Sequence, residues 1–557
     1  MWRHCCGCAL AILGCCFGRV ATGEVTSSVI VVCPGAWGNA LDAWSMHRQG
    51  EYRIIRIDTE STATKLKQAI LREVSQAQIP VSAVLLCGDV GLHETILHKD
   101  SKSGQSQFTP ITPTFVVPTK VMLGPFTTPT LATDGLYGDL DNDGCPDLAV
   151  GRLPAKNGAE LSRMLQRSID YETSQSFGPW RDRIHATAGV GGFGVLADTA
   201  IESVARRLLS EGIPDRFQLN MTYASLTSPY CPAPNALTPS FIGKINQGGL
   251  FWVYIGHGNI DELDYLSVLD EKIPICSSQD VSRFSISDGP PIAILLACFA
   301  GAFDAKVDCF AELLLAQQDG PIAVISGSRV TMPYGLSQLS TEMMDGCFRD
   351  RTPTLGAIVL NAKHKIWKEK LTTSSPNRVS SNPADRFREQ QQAMIETMAK
   401  ALSPEDHSLL EERREHVRLM NLLGDPLLRI RQPIELALDC LTDPLAGSTL
   451  TVSGSSPIAG RLRLELVLSR DRLPEGLRPL NEYRGTPDEL ETMQSNYERA
   501  SDLVLAHTEQ QIAEGPFSLD IMVPATSRGR CVVRAFVYAD DDWSSGSKRV
   551  NVRRPKT

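Results

Sequence analysis

A histidine between two glycines ends one apolar run, LFWVYIGHG (250–258), and a cysteine ends another, PPIAILLAC (290–298). A thiol attacks a carbonyl carbon as its thiolate, and it needs a neighbouring base or a positive local field to become one. His257 is such a base, able to withdraw the proton and return it to a leaving amine. Glycines beside the histidine let a substrate backbone come close, so the amide N–H groups of Gly258 and Cys298 form a candidate oxyanion hole. Ala300, Gly301 and Ala302, directly after the cysteine, leave room for a cleft. A second reading of the same residues stays open: free cysteine is among the most buried residue types, which makes Cys298 a candidate core residue as well.

The elements that must position these side chains are strands. Both runs, and a third, GPIAVISGS (320–328), are uniformly apolar, rich in Val and Ile, and bounded by Gly or Pro. That pattern predicts strands buried on both faces of a parallel sheet. Ligands bind beyond the carboxyl ends of such strands, so topology sets His257 and Cys298 on one rim. Upstream, VTSSVIVVCPGAW (25–37) and the segments to residue 89 alternate strand and helix, the signature of a doubly wound α/β region. Residues 92–130, rich in Ser, Thr, Pro and Gly, predict a long surface excursion. A second α/β half begins near residue 181. Its GVGGFG turn (189–194) is strand-to-helix punctuation rather than a phosphate loop, because no Lys-Ser or Lys-Thr follows. Residues 368–418 form a charged helical insertion expected to stay in solvent. From about residue 433 the period becomes two, which predicts a small antiparallel Ig-like β-sandwich with a polar loop insertion at 487–501.

One loop suggests a metal. In DLDNDGCPDLAV (139–150), Asp139, Asp141 and Asp143 alternate ahead of Gly144, the first half of an EF-hand-like calcium loop. Val150 stands where the bidentate glutamate belongs, so a structural calcium site and a solvated acidic turn are both open. No cofactor is required for thiol chemistry.

At 557 residues the chain is too long for one core. Its net charge of −9, with no basic stripe, excludes a general nucleic-acid binder. Residues 1–23 carry a basic start, an apolar stretch and a small-residue exit, the layout of a secretory signal. A variant reading takes residues 12–15 as a lipoprotein signal that leaves the chain anchored through Cys15. Five of the fifteen cysteines (Cys5, Cys6, Cys8, Cys15 and Cys16) fall in this leader. The other ten show no C-x-x-C pair, which argues against zinc, and export would permit some of them to pair.

YIGHG, LLACFAGAFD, CFAELLLAQQDGPIAVISGS and NLLGDPLLRI, together with VIVVCP, AVLLCGD and YGDLDNDGCPDLAVGRLPAKNGAELSRML, resemble the gingipain family of caspase-like cysteine peptidases in type and in order, over roughly residues 29–431. The resemblance implies a caspase-like, doubly wound, mostly parallel sheet in two halves (24–180 and 181–432), followed by an Ig-like β-sandwich (433–557). It implies an endopeptidase that acts on protein or peptide substrates, secreted or at the cell surface or in the periplasm, with the lipoprotein as the alternative. The family's nucleophile falls on Cys298 and its base on His257, and the acid that orients the histidine falls on Asp147. Asp147 is also the ninth position of the calcium loop, and the orienting role is preferred. The carboxylate and the aromatic that shape the S1 pocket of arginine-directed members have their nearest counterparts in Glu160 and Tyr334. The loop at Thr331, Met332 and Pro333 departs from that pattern. A catalytically silent surface protein that keeps the fold is the rival reading, and the retained Cys298/His257 pair favours the enzyme.

Overall fold

Every residue of the strand Ile292–Leu296 is buried. Its alternation decides which layer each side chain joins: Ala293 and Leu295 enter one apolar cluster, and Ile292, Ile294 and Leu296 enter another on the opposite face. A strand covered on both faces belongs in the middle of a sheet. The computed structural model of the chain describes residues 25–90, 112–121, 128–191, 212–268, 271–368, 392–393, 395–401, 403–404 and 407–555. The leader at 1–23, most of the 92–130 excursion and most of the 368–418 insertion lie outside the described residues.

Ten strands form the main sheet. They are β1 Ser27–Val32, β2 Tyr52–Ile57, β3 Val81–Cys87, β4 Ala149–Leu153, β5 Arg183–Ala188, β6 Gln218–Tyr223, β7 Phe251–Ile255, β8 Ile292–Leu296, β9 Ala323–Gly327 and β10 Met420–Leu423. Their spatial order is β2-β1-β3-β4-β10-β9-β8-β7-β5-β6. All neighbours are parallel except β9 and β10. The sheet is therefore two parallel halves joined back to back, and strands of one half end at the edge where strands of the other begin. This is the doubly wound, mostly parallel α/β arrangement expected. Helices Gly158–Thr173 and Leu237–Ile245 cover one face, and Pro333–Phe348 and Leu355–Lys368 the other.

The sandwich follows the sheet in the chain. A five-stranded sheet, in which Gly460–Leu468 lies between Val504–Ile512 and Gly529–Tyr538, faces a three-stranded one built on Thr449–Ser456. Leu450, Val452, Leu462, Leu464, Val533 and Val537 meet between them.

Two expectations change. Pro487–Ala500 is a helix with a full capping box at Thr486 and Glu489, and it buries Met493 and Tyr497. Its capping signal, T-P-D-E, lay inside what reads as a polar loop. Leu409–Leu419, placed in the solvated insertion, packs inward instead: Glu412, Arg413, Glu415 and His416 are buried. Glu415 accepts from the Lys120 and Val121 amides, and Glu412 accepts from the Gly335 amide and pairs with His407. Charges at helical spacing read as a wet face unless the partners that satisfy them are known.

Candidate active site

The turn after β8 brings Cys298 to the surface. Phe299 adopts φ 57°, a left-handed conformation uncommon for a bulky side chain. The reversal it makes carries the Ala300 amide back to the Cys298 carbonyl (2.7 Å). Backbone held in this region persists where its surroundings impose it, and it recurs at functional sites. Here the surroundings are specific. The Phe299 amide donates to the Arg329 carbonyl and the Gly301 amide to that of Gly327 (3.1 and 3.0 Å), while Arg329 grips Asp304 through two bonds of 2.7 and 2.6 Å. A Cβ at Gly301 would meet Ser326 at 2.8 Å, so only glycine lets this loop lie against β9.

The ten cysteines after the leader are all free thiols, and they divide by burial. Eight are buried, and burial pushes the thiols of Cys145, Cys231 and Cys347 up to about 12. Cys298 is half-exposed, unlike those core cysteines. The Thr331 amide donates to its Sγ at 3.3 Å, and the Thr331 hydroxyl lies 3.6 Å away. Thr331 belongs to the loop that departs from the family pattern.

His257 follows β7, the neighbour of β8, and is likewise half-exposed. Gly258 packs directly on the cysteine turn: a Cβ there would lie 2.9 Å from both the Ala297 Cβ and the Cys298 carbonyl oxygen. The two turns touch through this glycine, so the structure brings together Cys298, His257 and Gly258. The chain then doubles back in a narrow hairpin in which Gly258 bridges Leu263. The Tyr254 hydroxyl stands inside it, donating to the His257 carbonyl (2.6 Å) and accepting from the Asp264 amide (3.1 Å). Burial raises the Tyr254 phenol far above its usual range, and the Asp264 carboxylate adds to this, so the hydroxyl stays protonated.

The other named residues lie elsewhere. Asp147 precedes β4, and four strand spacings, roughly 19 Å, separate β4 from β7. An exposed carboxylate at that distance does not reach the imidazole, so the orienting assignment is corrected. Asp147 accepts from the Leu140 amide within its own acidic loop (2.8 Å). Glu160 follows the carboxyl end of β4, which runs antiparallel to β8 and so ends at the opposite edge from Cys298. It accepts from the Lys156 amide (2.9 Å) and closes the start of its own helix. Tyr334 follows Thr331 by three residues but is 4% exposed and packed into the helix it begins. Neither lines an opening beside the sulfur.

In the acidic loop, side-chain oxygens of Asp139, Asp141 and Asp147 all lie within 4.8 Å of one another. Asp143 turns its carboxylate to the Cys145 amide (2.7 Å) instead, which corrects the ligand set expected from spacing. Asp139 is 2% exposed, and its Oδ1 is buried without a hydrogen-bond partner. Burial raises the Asp139 carboxyl, and Lys67, 3.8 Å from Oδ2, partly opposes that. Three carboxylates and an unsatisfied oxygen suit a hard, oxygen-seeking cation.

Residues 23–431 match the family described as Peptidase family C25, so the chain belongs to it. Among curated relatives, gingipain R2 of Porphyromonas gingivalis is 24% identical over 313 residues, which are 54% of this chain and 36% of that protein. Gingipain R1 of the same organism is 23% identical over the same share of this chain and 27% of its own length. The chain thus spans about a third of the length of the first and about a quarter of the second. Among solved structures, the Arg-specific cysteine proteinase gingipain R aligns over 95% of this chain and 99% of its own, at 15% identity and a TM-score of 0.49. A structure described as a protease aligns over 95% and 98%, at 14% identity and a TM-score of 0.51, a likeness of fold.

Proposed function

We propose that this chain is an exported cysteine endopeptidase that hydrolyses peptide bonds through a thioester on Cys298. His257 takes the thiol proton and returns it to the departing amine, and the same imidazole then deprotonates the water that releases the acyl group. The amides of Gly258 and Cys298 receive the oxyanion. The observation that carries this reading is a half-exposed thiol just past a central strand of the main sheet, with an amide aimed at its sulfur and a glycine-flanked histidine on the touching turn. Family membership supports protein substrates. The Arg specificity in the description of gingipain R is left with that protein, because Glu160 sits at the other sheet edge and Tyr334 is packed away.

Labelling by iodoacetamide or an acyloxymethyl ketone tests the reading. The label is expected on Cys298, lost in Cys298→Ala and weakened in His257→Ala, with hydrolysis of a P1-scanning fluorogenic library following the same order. A reduced chain that takes no label favours the silent surface protein. Export is checked separately by sequencing the amino terminus of the mature product, expected near residues 21–24, with a lipidated Cys15 as the variant outcome. Asp139, Asp141 and Asp147 are assigned to a structural calcium ion, on the strength of the orphaned Asp139 oxygen.

A further inference from the structure

The hairpin that follows His257 sets a carboxylate opposite it. Gly258 bridges Leu263 in antiparallel register, so the next pair outward is His257 with Asp264. Residues directly across an antiparallel pair project to the same face and lie within side-chain reach. The backbone agrees, since one hydroxyl, that of Tyr254, touches both the Asp264 amide and the His257 carbonyl. The pair is therefore held a hydroxyl's width apart at the main chain, a gap that an aspartate and an imidazole together can span.

The carboxylate is fixed before any substrate arrives. Asp264 is 7% exposed; Oδ2 accepts from the Val190 amide (2.8 Å) and Oδ1 from the Tyr265 amide (2.9 Å). Each oxygen has a second lone pair left to accept with. The turn after β5 makes room for it. A Cβ at Gly189 would lie 2.7 Å from Asp264 Oδ2 and 3.1 Å from the Tyr254 hydroxyl, so the carboxylate fills the space that a side chain at 189 would take. Two glycines, Gly189 and Gly256, thus wall a small chamber roofed by Tyr254 and occupied by one acid, beside the strand tip that ends in His257.

We propose that Asp264 is the positioning residue for His257, accepting a hydrogen bond from the imidazole nitrogen that faces away from Cys298. This fixes the tautomer and ring orientation that proton transfer from sulfur requires, and it stabilises the imidazolium that forms. The proposal rests on the peptidase reading above. Asp147 cannot take this role at its distance, whereas Asp264 meets the histidine across the hairpin that follows it.

The test uses the full chain. The wild type is assayed first: if it neither labels at Cys298 nor hydrolyses any library member, the peptidase reading and this proposal fall together. With an active wild type, Asp264→Asn is expected to lower kcat by about 100-fold with KM changed less than about threefold, as loss of support for a general base does. The rate of Cys298 alkylation near neutral pH should fall at least about tenfold. Asp264→Asn with wild-type kcat and alkylation overturns the proposal, whatever its melting temperature, and leaves the peptidase reading intact. A second variant guards against misfolding. Gly189→Asp combined with Asp264→Gly returns a carboxylate to the same chamber from the facing turn. Recovery to within about tenfold of wild type supports the assignment, and a folded double variant as inactive as Asp264→Gly overturns it.

Discussion

On the proposed reading, a single methyl group at Gly258 separates a loss of stability from a loss of activity. The added carbon would press on Ala297 and on the Cys298 carbonyl at 2.9 Å, contacts too short for the two turns to keep their places. Overpacking of this kind costs about 1–3 kcal/mol, which a chain of this size survives. A displacement of about 1 Å at the reacting atoms costs about 100-fold in rate. Gly258→Ala is therefore expected to melt within a few degrees of wild type while losing about 100-fold in kcat/KM. Calorimetry and the fluorogenic assay together check it, and a fully active variant would mean that the cysteine and histidine turns need not touch. Cys33 and Cys87, buried at the carboxyl ends of β1 and β3, make the contrast: they are core cysteines of the kind the composition leads one to expect.

Two elements of the amino-terminal half lend themselves to direct tests. Arg152 in β4 is fully buried; it holds Asp134 through Nε and Nη2 (2.6 and 2.8 Å) and donates to the carbonyls of Gly88, Thr112 and Pro113. One guanidinium thus ties the exit of β3 and the segments at 112–113 and 134 to the sheet. Truncating one member of a buried pair leaves the other charge stranded, so Arg152→Met should cost about 3–5 kcal/mol by chemical denaturation. The acidic loop offers a gentler test. Millimolar calcium should raise the melting temperature by about 2–6 °C, EGTA should reverse it, and Asp139→Asn should remove the response. Wild-type melting indifferent to calcium would return the loop to the solvated-turn reading. Asp143→Asn should keep most of the response, because its carboxylate serves the Cys145 amide.

Over the whole molecule the sandwich and its helix cap the peptidase sheet at its β6 edge. Strand β6 has no further neighbour in the sheet, and the helix Pro487–Ala500 lies against it. The Tyr497 hydroxyl meets Thr222 Oγ1 (2.9 Å), the Met221 amide donates to Ser501 Oγ (3.0 Å), and Lys244 sits 3.7 Å over the Tyr497 ring. Arg470 adds bonds to the carbonyls of Ile213, Pro214 and Phe217. An uncovered edge strand recruits other chains, so residues 24–432 alone should aggregate on size exclusion where the full chain does not. The same interface contains a pH-sensitive acid. Asp182 accepts from Ser545 Oγ (3.3 Å), and burial pushes its carboxyl from about 3.8 up to about 7, against the pull of Arg216. A folded value above the unfolded one means stability that is complete below the unfolded value and lost as pH rises through about 7. Asp182→Asn is expected to be more stable than wild type at pH 8 by about 2–4 kcal/mol and to match it near pH 4, as read from denaturation midpoints.

The parts of this protein that depend on local period were legible in the sequence. Ile292 to Leu296 read as a strand buried on both faces because every residue is apolar, and that is where it lies. The change to a period of two near residue 433 marked the sandwich for the same reason. Parallel strands ending in Gly-His-Gly and in Cys named the rim on which Cys298 and His257 stand. What the sequence left open needed register and strand order, which have no period to betray them. Asp139, Asp143, Asp147, Glu160 and Asp264 are all carboxylates, and nothing in their spacing ranks them. The antiparallel joint between β9 and β10 sends Glu160 to the far edge, the width of four strand spacings holds Asp147 in its own loop, and a two-residue hairpin bridge brings Asp264 across from the histidine. Which side chain can act on which is set by distance through space, and only the folded chain has that distance.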